Sequence, residues 1–196
     1  MTASLETEVL IVGAGAGGAA VAGALAAGGC RVTVLEAGPS RDSWPLGHAR
    51  NIDPTENGLA SFAKRLDEFL VWPSFAKSAP PGLAGAKIAH GVGGMLGLWT
   101  CNCPWPHPDE LPPWDDHEVW EAYIRRAHAL LNVQENFGAD GVRMRILLER
   151  VKRAVGGLPE GRQVRPMPVA VTLSENGLRF SSIENLLTPD NDLGAI

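Results

Sequence analysis

Val9-Leu10-Ile11-Val12 is an unbroken apolar run rich in β-branched residues that stops at Gly13. This is the pattern of a strand buried on both faces of a parallel sheet. A run of very small residues over 19–27 follows as a helix, and Arg31-Val32-Thr33-Val34-Leu35 forms a second strand ending at Glu36-Ala37-Gly38-Pro39. Strand, turn, helix and strand within about thirty residues make a βαβ unit. The signal weakens over 40–86, where 57–70 reads as a helix and Trp72-Pro73 and Pro80-Pro81-Gly82 break the chain. A Gly/Pro-rich loop region covers 82–113. Helical periodicity returns over 115–131, with Val119, Trp120, Tyr123, Ile124, Ala127, Leu130 and Leu131 on one side. It returns again over 141–155, where Val142, Ile146, Leu147 and Val151 form the apolar stripe. A strand at 167–173 and a short element at 183–187 complete an α/β chain with a parallel sheet at its N-terminus.

Composition narrows the classes. The chain has 196 residues, 45% of them hydrophobic, which suits a globular domain with a sizeable core. Charged residues make up 20%, and the net charge of -5 is spread along the chain without a Lys/Arg block. Phosphate backbones need clustered cations, so nucleic acid is not an expected partner. No run approaches the ~20 apolar residues of a membrane span. The first eight residues carry Glu6 and Glu8 and no base, the wrong flank for a secretory signal. Cys30, Cys101 and Cys103 are an odd, sparse set, which fits a reducing cytoplasm rather than a disulfide framework.

The turn after the first strand reads Gly13-Ala14-Gly15-Ala16-Gly17-Gly18 and fits G-x-G-x-x-G. Gly13 allows the tight exit from the strand, Gly15 leaves room for a pyrophosphate, and Gly18 lets helix and strand pack closely. The helix that opens there aims free N–H groups and a positive dipole end at phosphates. Glu36 lies eighteen residues past Gly18, at the end of the second strand, where a carboxylate accepts ribose hydroxyls and repels a 2′-phosphate. These agreements predict dinucleotide binding at Gly13, Gly15, Gly17, Gly18 and Glu36. The fingerprint alone does not choose between FAD and NAD.

A second glycine cluster, Gly91-Val92-Gly93-Gly94-Met95-Leu96-Gly97-Leu98-Trp99-Thr100-Cys101, resembles the second flavin-contacting motif of the glucose-methanol-choline (GMC) oxidoreductases. Within them it is similar to the pyranose oxidase branch and its glycoside-oxidising relatives, at Val92-Gly93-Gly94-Met95 and Trp99-Thr100-Cys101. The ending Glu36-Ala37-Gly38 resembles the E-x-G of flavoprotein oxidoreductases, and Phe180-Ser181-Ser182 with Asn185 resembles a later run of the branch. The resemblance implies FAD, a Rossmann-like FAD-binding domain over 1–110, and a helical segment with the start of a substrate domain over 111–196. It implies that Gly93, Gly94 and Met95 approach the cofactor, that Thr100 sits beside the flavin N5 region, and that Cys101 lines the same edge. Relatives that attach flavin covalently carry a histidine directly before Trp-Thr-Cys. That position is Leu98 here, so the FAD is expected to be non-covalent. His90 does not match the anchor position and reads as a loop histidine.

The implied activity is oxidation of a sugar or glycoside CH–OH group, with hydride passing to the flavin. The alternatives are a non-catalytic FAD-binding subunit or degenerate fragment that requires a separate C-terminal chain, and a compact NAD-dependent enzyme. The second lacks a Tyr-x-x-x-Lys signature, since Ala127 stands four residues after Tyr123. In the family the catalytic base lies in the C-terminal portion, so no catalytic residue is expected in this chain. The fold is expected to be incomplete without that portion, and a C-terminal partner chain is one way to supply it. An incomplete sheet would leave apolar strand surface exposed. Cys101, Cys103 and His107 lack the fourth ligand and spacing of a zinc site. Asp115, Asp116 and Glu118 are expected to cap and charge a helix start. His48, His107, His117 and His128 carry no triad pattern.

Overall fold

The computed structural model describes residues 6–39, 47–51, 70–71, 87–175 and 177–187. The expected helix at 57–70 and the breaks at 72–73 and 80–82 lie outside these. The chain is mixed α/β and divides into two compact units, one drawn from Met1–Trp99 and Leu178–Ile196, the other from Thr100–Gly177.

In the first unit, β1 (Val9–Val12) pairs in parallel with β2 (Val32–Leu35), Val9 opposite Val32 and Val12 opposite Leu35. The crossover is α1, Ala16–Ala27. It begins three residues earlier than its alanine run suggests, because Gly15 is extended (φ -80°, ψ -171°) and takes the N-cap position. Gly17 and Gly18, poor helix formers alone, therefore lie in the first turn. The small residues of α1 have a packing reason. A Cβ on Gly18 would strike the Gly13 carbonyl oxygen, and one on Gly23 would strike that of Leu186. Leu186 lies in a short helix, Glu184–Leu187, that packs on α1. Two further strands, β3 (Leu70–Val71) and β4 (Ile88–Ala89), pair antiparallel.

One expectation needs correcting. A strand buried on both faces was predicted for 9–12, but β1 alternates half-buried and exposed positions. Val12 is 82% exposed, with Leu10, Val34 and Leu35 also exposed. Among the described residues of this unit, Ala14, Ala19, Ala22, Ala49, Leu96, Leu98, Ile183 and Leu186 are buried, together with the polar His48, Ser181 and Ser182.

The second unit holds two 14-residue helices, His117–Leu130 and Val142–Val155, with β5 (Val133–Gln134) between them. β5 pairs antiparallel with β6 (Val169–Ser174), Val133 opposite Ala170. β7 (Gly177–Phe180) then returns the chain to the first unit. Cys101, Pro168, Ala170 and Val171 form the core. The carbonyl of Cys101 accepts the Ala170 N–H at 2.8 Å, and Cys103 N–H donates to Pro168 at 2.8 Å. The stripe predicted along the second helix stays in solvent, with Val142, Ile146, Leu147 and Val151 all exposed. Asp116 occupies the N-cap of the first helix without a side-chain cap bond, while Glu118 sits in its first turn. His107 caps a short 3₁₀ turn, Pro108–Glu110, and its own N–H is returned to the Glu110 carboxylate at 2.8 Å.

Candidate dinucleotide-binding site

The glycine turn grows directly from the βαβ geometry. Gly13 leaves β1 with φ +97°, a conformation that only glycine adopts without strain, and its N–H donates to the Leu35 carbonyl at 2.7 Å. The turn is thereby anchored to the end of β2. Among the described residues no atom lies within 4 Å of where a Cβ would stand on Gly13, Gly15 or Gly17. The turn thus presents an open face, and no side chain caps α1. Unpaired N–H groups at a helix start beside bare glycine backbone fit a phosphate group.

Glu36 follows β2 and reaches back into this turn. Its two carboxylate oxygens accept the N–H groups of Ala14 at 2.8 Å and Gly38 at 2.9 Å. These bonds hold its carboxyl below the usual range against the opposing effect of partial burial, and the charge of His90 adds to them. His90, read from sequence as a loop residue, therefore lies close enough to act on Glu36 electrostatically.

The second glycine cluster packs onto the first. The N–H of Gly93 donates to the Ala14 carbonyl at 2.7 Å, and that of Val92 to Pro39 at 3.1 Å. Gly93 has φ +91°. A Cβ on Gly94 would stand 3.2 Å from the Gly15 Cα, and one on Gly38 would stand 2.5 Å from the Gly91 Cα. Backbone meets backbone at both places, so these glycines serve the approach of two loops as well as any ligand. Ala14, unnoticed in the glycine pattern, is the hinge of the arrangement: buried, with its N–H given to Glu36 and its carbonyl to Gly93. Gly13, Gly15, Gly17, Gly18, Glu36, Gly93, Gly94 and Met95 are thus gathered in the first unit, and Met95 is exposed. Thr100 and Cys101 open the second unit. Thr100 is exposed, and Cys101 is fully buried with φ +60°.

A polar knot supports the second loop and escaped sequence reasoning. His48 is fully buried. Its Nδ1 accepts the Arg50 N–H at 3.0 Å, and its Nε2 lies 3.2 Å from the Trp99 carbonyl oxygen. The Trp99 indole donates to the Ser181 carbonyl at 2.9 Å. The Asn51 amide donates to the Phe180 carbonyl at 2.9 Å and accepts its N–H at 2.6 Å, closing a pair of bonds as a β-partner would. The Phe180-Ser181-Ser182 run, loosely matched from sequence, is therefore bonded to the segments around Asn51 and Trp99, behind the second glycine loop. No spacing signal links residues so far apart in the chain.

The site thus joins a parallel βαβ unit, an open glycine turn, an acid at the end of the second strand and a second glycine loop laid across the turn, within a mixed α/β chain. Curated relatives carry that further. A pyranose 2-oxidase of Tricholoma matsutake is 35% identical over 91 residues, covering 45% of this chain and 15% of that protein. A C-glycoside 3-oxidase of Arthrobacter globiformis is 28% identical over 205 residues, covering 89% of this chain and 38% of that protein. A pyranose 2-oxidase of Emericella nidulans is 22% identical over 221 residues, covering 93% and 36%. The chain is related to the pyranose-oxidase-like oxidoreductases and spans well under half the length of these relatives. They lend no support to a separate C-terminal partner chain. No protein-family model matches the chain. Among the described residues no helix is long and apolar enough to cross a membrane.

Proposed function

We propose that this chain binds FAD without a covalent link and serves the oxidation of a CH–OH group on a sugar or glycoside. The observation that carries the reading is the Gly93 to Ala14 hydrogen bond, which seats the second glycine loop on the open phosphate-type turn. The relatives' names supply the sugar substrate class.

In this reading the N–H groups at the start of α1 and the bare backbone at Gly13, Gly15, Gly17 and Gly18 hold the pyrophosphate. Glu36 keeps acceptor capacity beyond its two backbone bonds and takes the adenosine ribose hydroxyls. Gly93, Gly94 and Met95 lie along the cofactor, and the exposed Thr100 borders the flavin ring. When bound, FAD supplies the acceptor for a hydride leaving the substrate carbon. Leu98 has no nucleophilic atom and is buried, which supports non-covalent attachment.

The test is the absorbance of the purified protein before and after acid precipitation. Yellow protein whose flavin passes into the supernatant is the expected result. Flavin retained in the precipitate refutes the non-covalent assignment. Colourless protein that binds NAD instead refutes the reading as a whole.

A further inference from the structure

We infer that His48 is a positioning residue for the flavin site, fixing the plane of the peptide that joins Trp99 to Thr100. The inference rests on the FAD reading above and adds a residue that no glycine or Trp-Thr-Cys pattern contains. A backbone N–H can only donate, so the His48 Nδ1 facing Arg50 carries no proton. The proton of the neutral ring is then on Nε2, and it is donated to the Trp99 carbonyl. The ring is stacked on Phe180 with centroids 5.3 Å apart, and the Arg50 guanidinium lies over that same Phe180 ring at 5.4 Å.

Trp99 is consequently held at three points. Its N–H donates to the Met95 carbonyl at 2.8 Å, its indole to Ser181, and its own carbonyl accepts from His48. The first two bonds fix where the residue sits and where its side chain lies. The third fixes the orientation of the peptide that leads into Thr100, the residue proposed to border the flavin ring. Without a donor at Nε2, that carbonyl loses the partner which orients it and the peptide is free to turn.

Two substitutions separate this role from simple packing. In His48→Asn the side-chain oxygen can still accept the Arg50 N–H as an Asx turn, but nothing reaches Trp99. In His48→Gln the amide nitrogen reaches the Nε2 position, and the bond from Arg50 is given up instead. Each variant loses one ring bond and the stacking on Phe180, so a purely structural role predicts similar effects from both. The positioning role predicts a split. His48→Gln keeps the flavin affinity and visible spectrum near those of the wild type, whereas His48→Asn binds FAD roughly tenfold more weakly, with a shifted band and brighter flavin fluorescence.

The measurements are FAD titration, the bound-flavin spectrum and urea denaturation of the flavin-loaded protein and both variants. Flavin affinity that follows the denaturation midpoint equally in both variants overturns the positioning role, as does an unchanged spectrum in His48→Asn. A wild-type protein that takes up no FAD overturns the functional reading and this inference with it, and that result is visible before either variant is made.

Discussion

Replacing Gly38 by alanine tests whether the two glycine loops really lean on each other. The new Cβ would stand 2.5 Å from the Gly91 Cα and 2.6 Å from the His90 carbonyl carbon, with the Gly91 nitrogen closer still. All three are main-chain atoms, so no side-chain rotation relieves the clash. Real contacts of this kind sit at 3.4 Å or more, and residues 90–91 must therefore move away by roughly an ångström. That displacement strains the Val92 to Pro39 and Gly93 to Ala14 hydrogen bonds. An overpacked methyl costs about 1–3 kcal/mol, and each weakened hydrogen bond adds about 1 kcal/mol. The expected loss is about 3–5 kcal/mol, together with weaker FAD binding. Gly17→Ala is the internal control. Its Cβ meets nothing within 4 Å in a helical turn, so stability should hold or rise by up to about 1 kcal/mol. Urea unfolding of both variants at matched slope gives the comparison. If Gly38→Ala costs less than about 0.5 kcal/mol, a threshold typical of surface changes, the described packing of loop on loop is wrong.

Gly15→Ala adds its methyl at an ordinary φ of -80° with no described atom within 4 Å; the poorer N-cap should cost about 1 kcal/mol of stability while FAD affinity, read by titration, falls at least about tenfold. Unchanged affinity would remove the pyrophosphate from this turn. Glu36→Gln leaves one of the Ala14 and Gly38 N–H groups facing an amide N–H, and should cost about 1–3 kcal/mol at neutral pH. Because the folded carboxyl titrates below its usual value of 4.5, its stabilisation is full above that value and disappears as pH falls through the lower folded pKa. Unfolding midpoints of wild type and Glu36→Gln should converge in acid, and parallel curves would show that the carboxylate bonds carry no stability. Asn51→Ala removes both bonds to Phe180 and should lower stability by about 2–3 kcal/mol, measured by thermal or urea unfolding.

Local pattern made the βαβ unit legible, and the reason is physical. A strand, a glycine turn and a helix of small residues each leave a short-range signature, and β1, α1 and β2 stand within a residue or three of where that signature places them. The G-x-G-x-x-G logic also assigned correct steric duties to Gly13 and Gly18. The burial of β1 was not legible, because whether a strand is covered depends on neighbours and not on its own residues. The same is true of the helix at 142–155, whose periodic stripe is real but lies in solvent. His48 and Asn51 were invisible for another reason. Their partners, Trp99 and Phe180, stand 51 and 129 residues away, and a lone polar residue carries no periodicity that could point so far.

That long reach has a consequence for synthesis on the ribosome. The strand-turn-helix-strand unit is complete once residue 35 is made, yet the groups that close its far side, Phe180 to Leu186, come 129 or more residues after Asn51. From residue 35 to Phe180, at about 5–20 residues per second, the nascent βαβ segment waits roughly 7–29 seconds before the Phe180 run is made. Chaperone occupancy on stalled nascent chains should therefore persist until the Phe180-Ser181-Ser182 run has cleared the exit tunnel, and fall sharply after that.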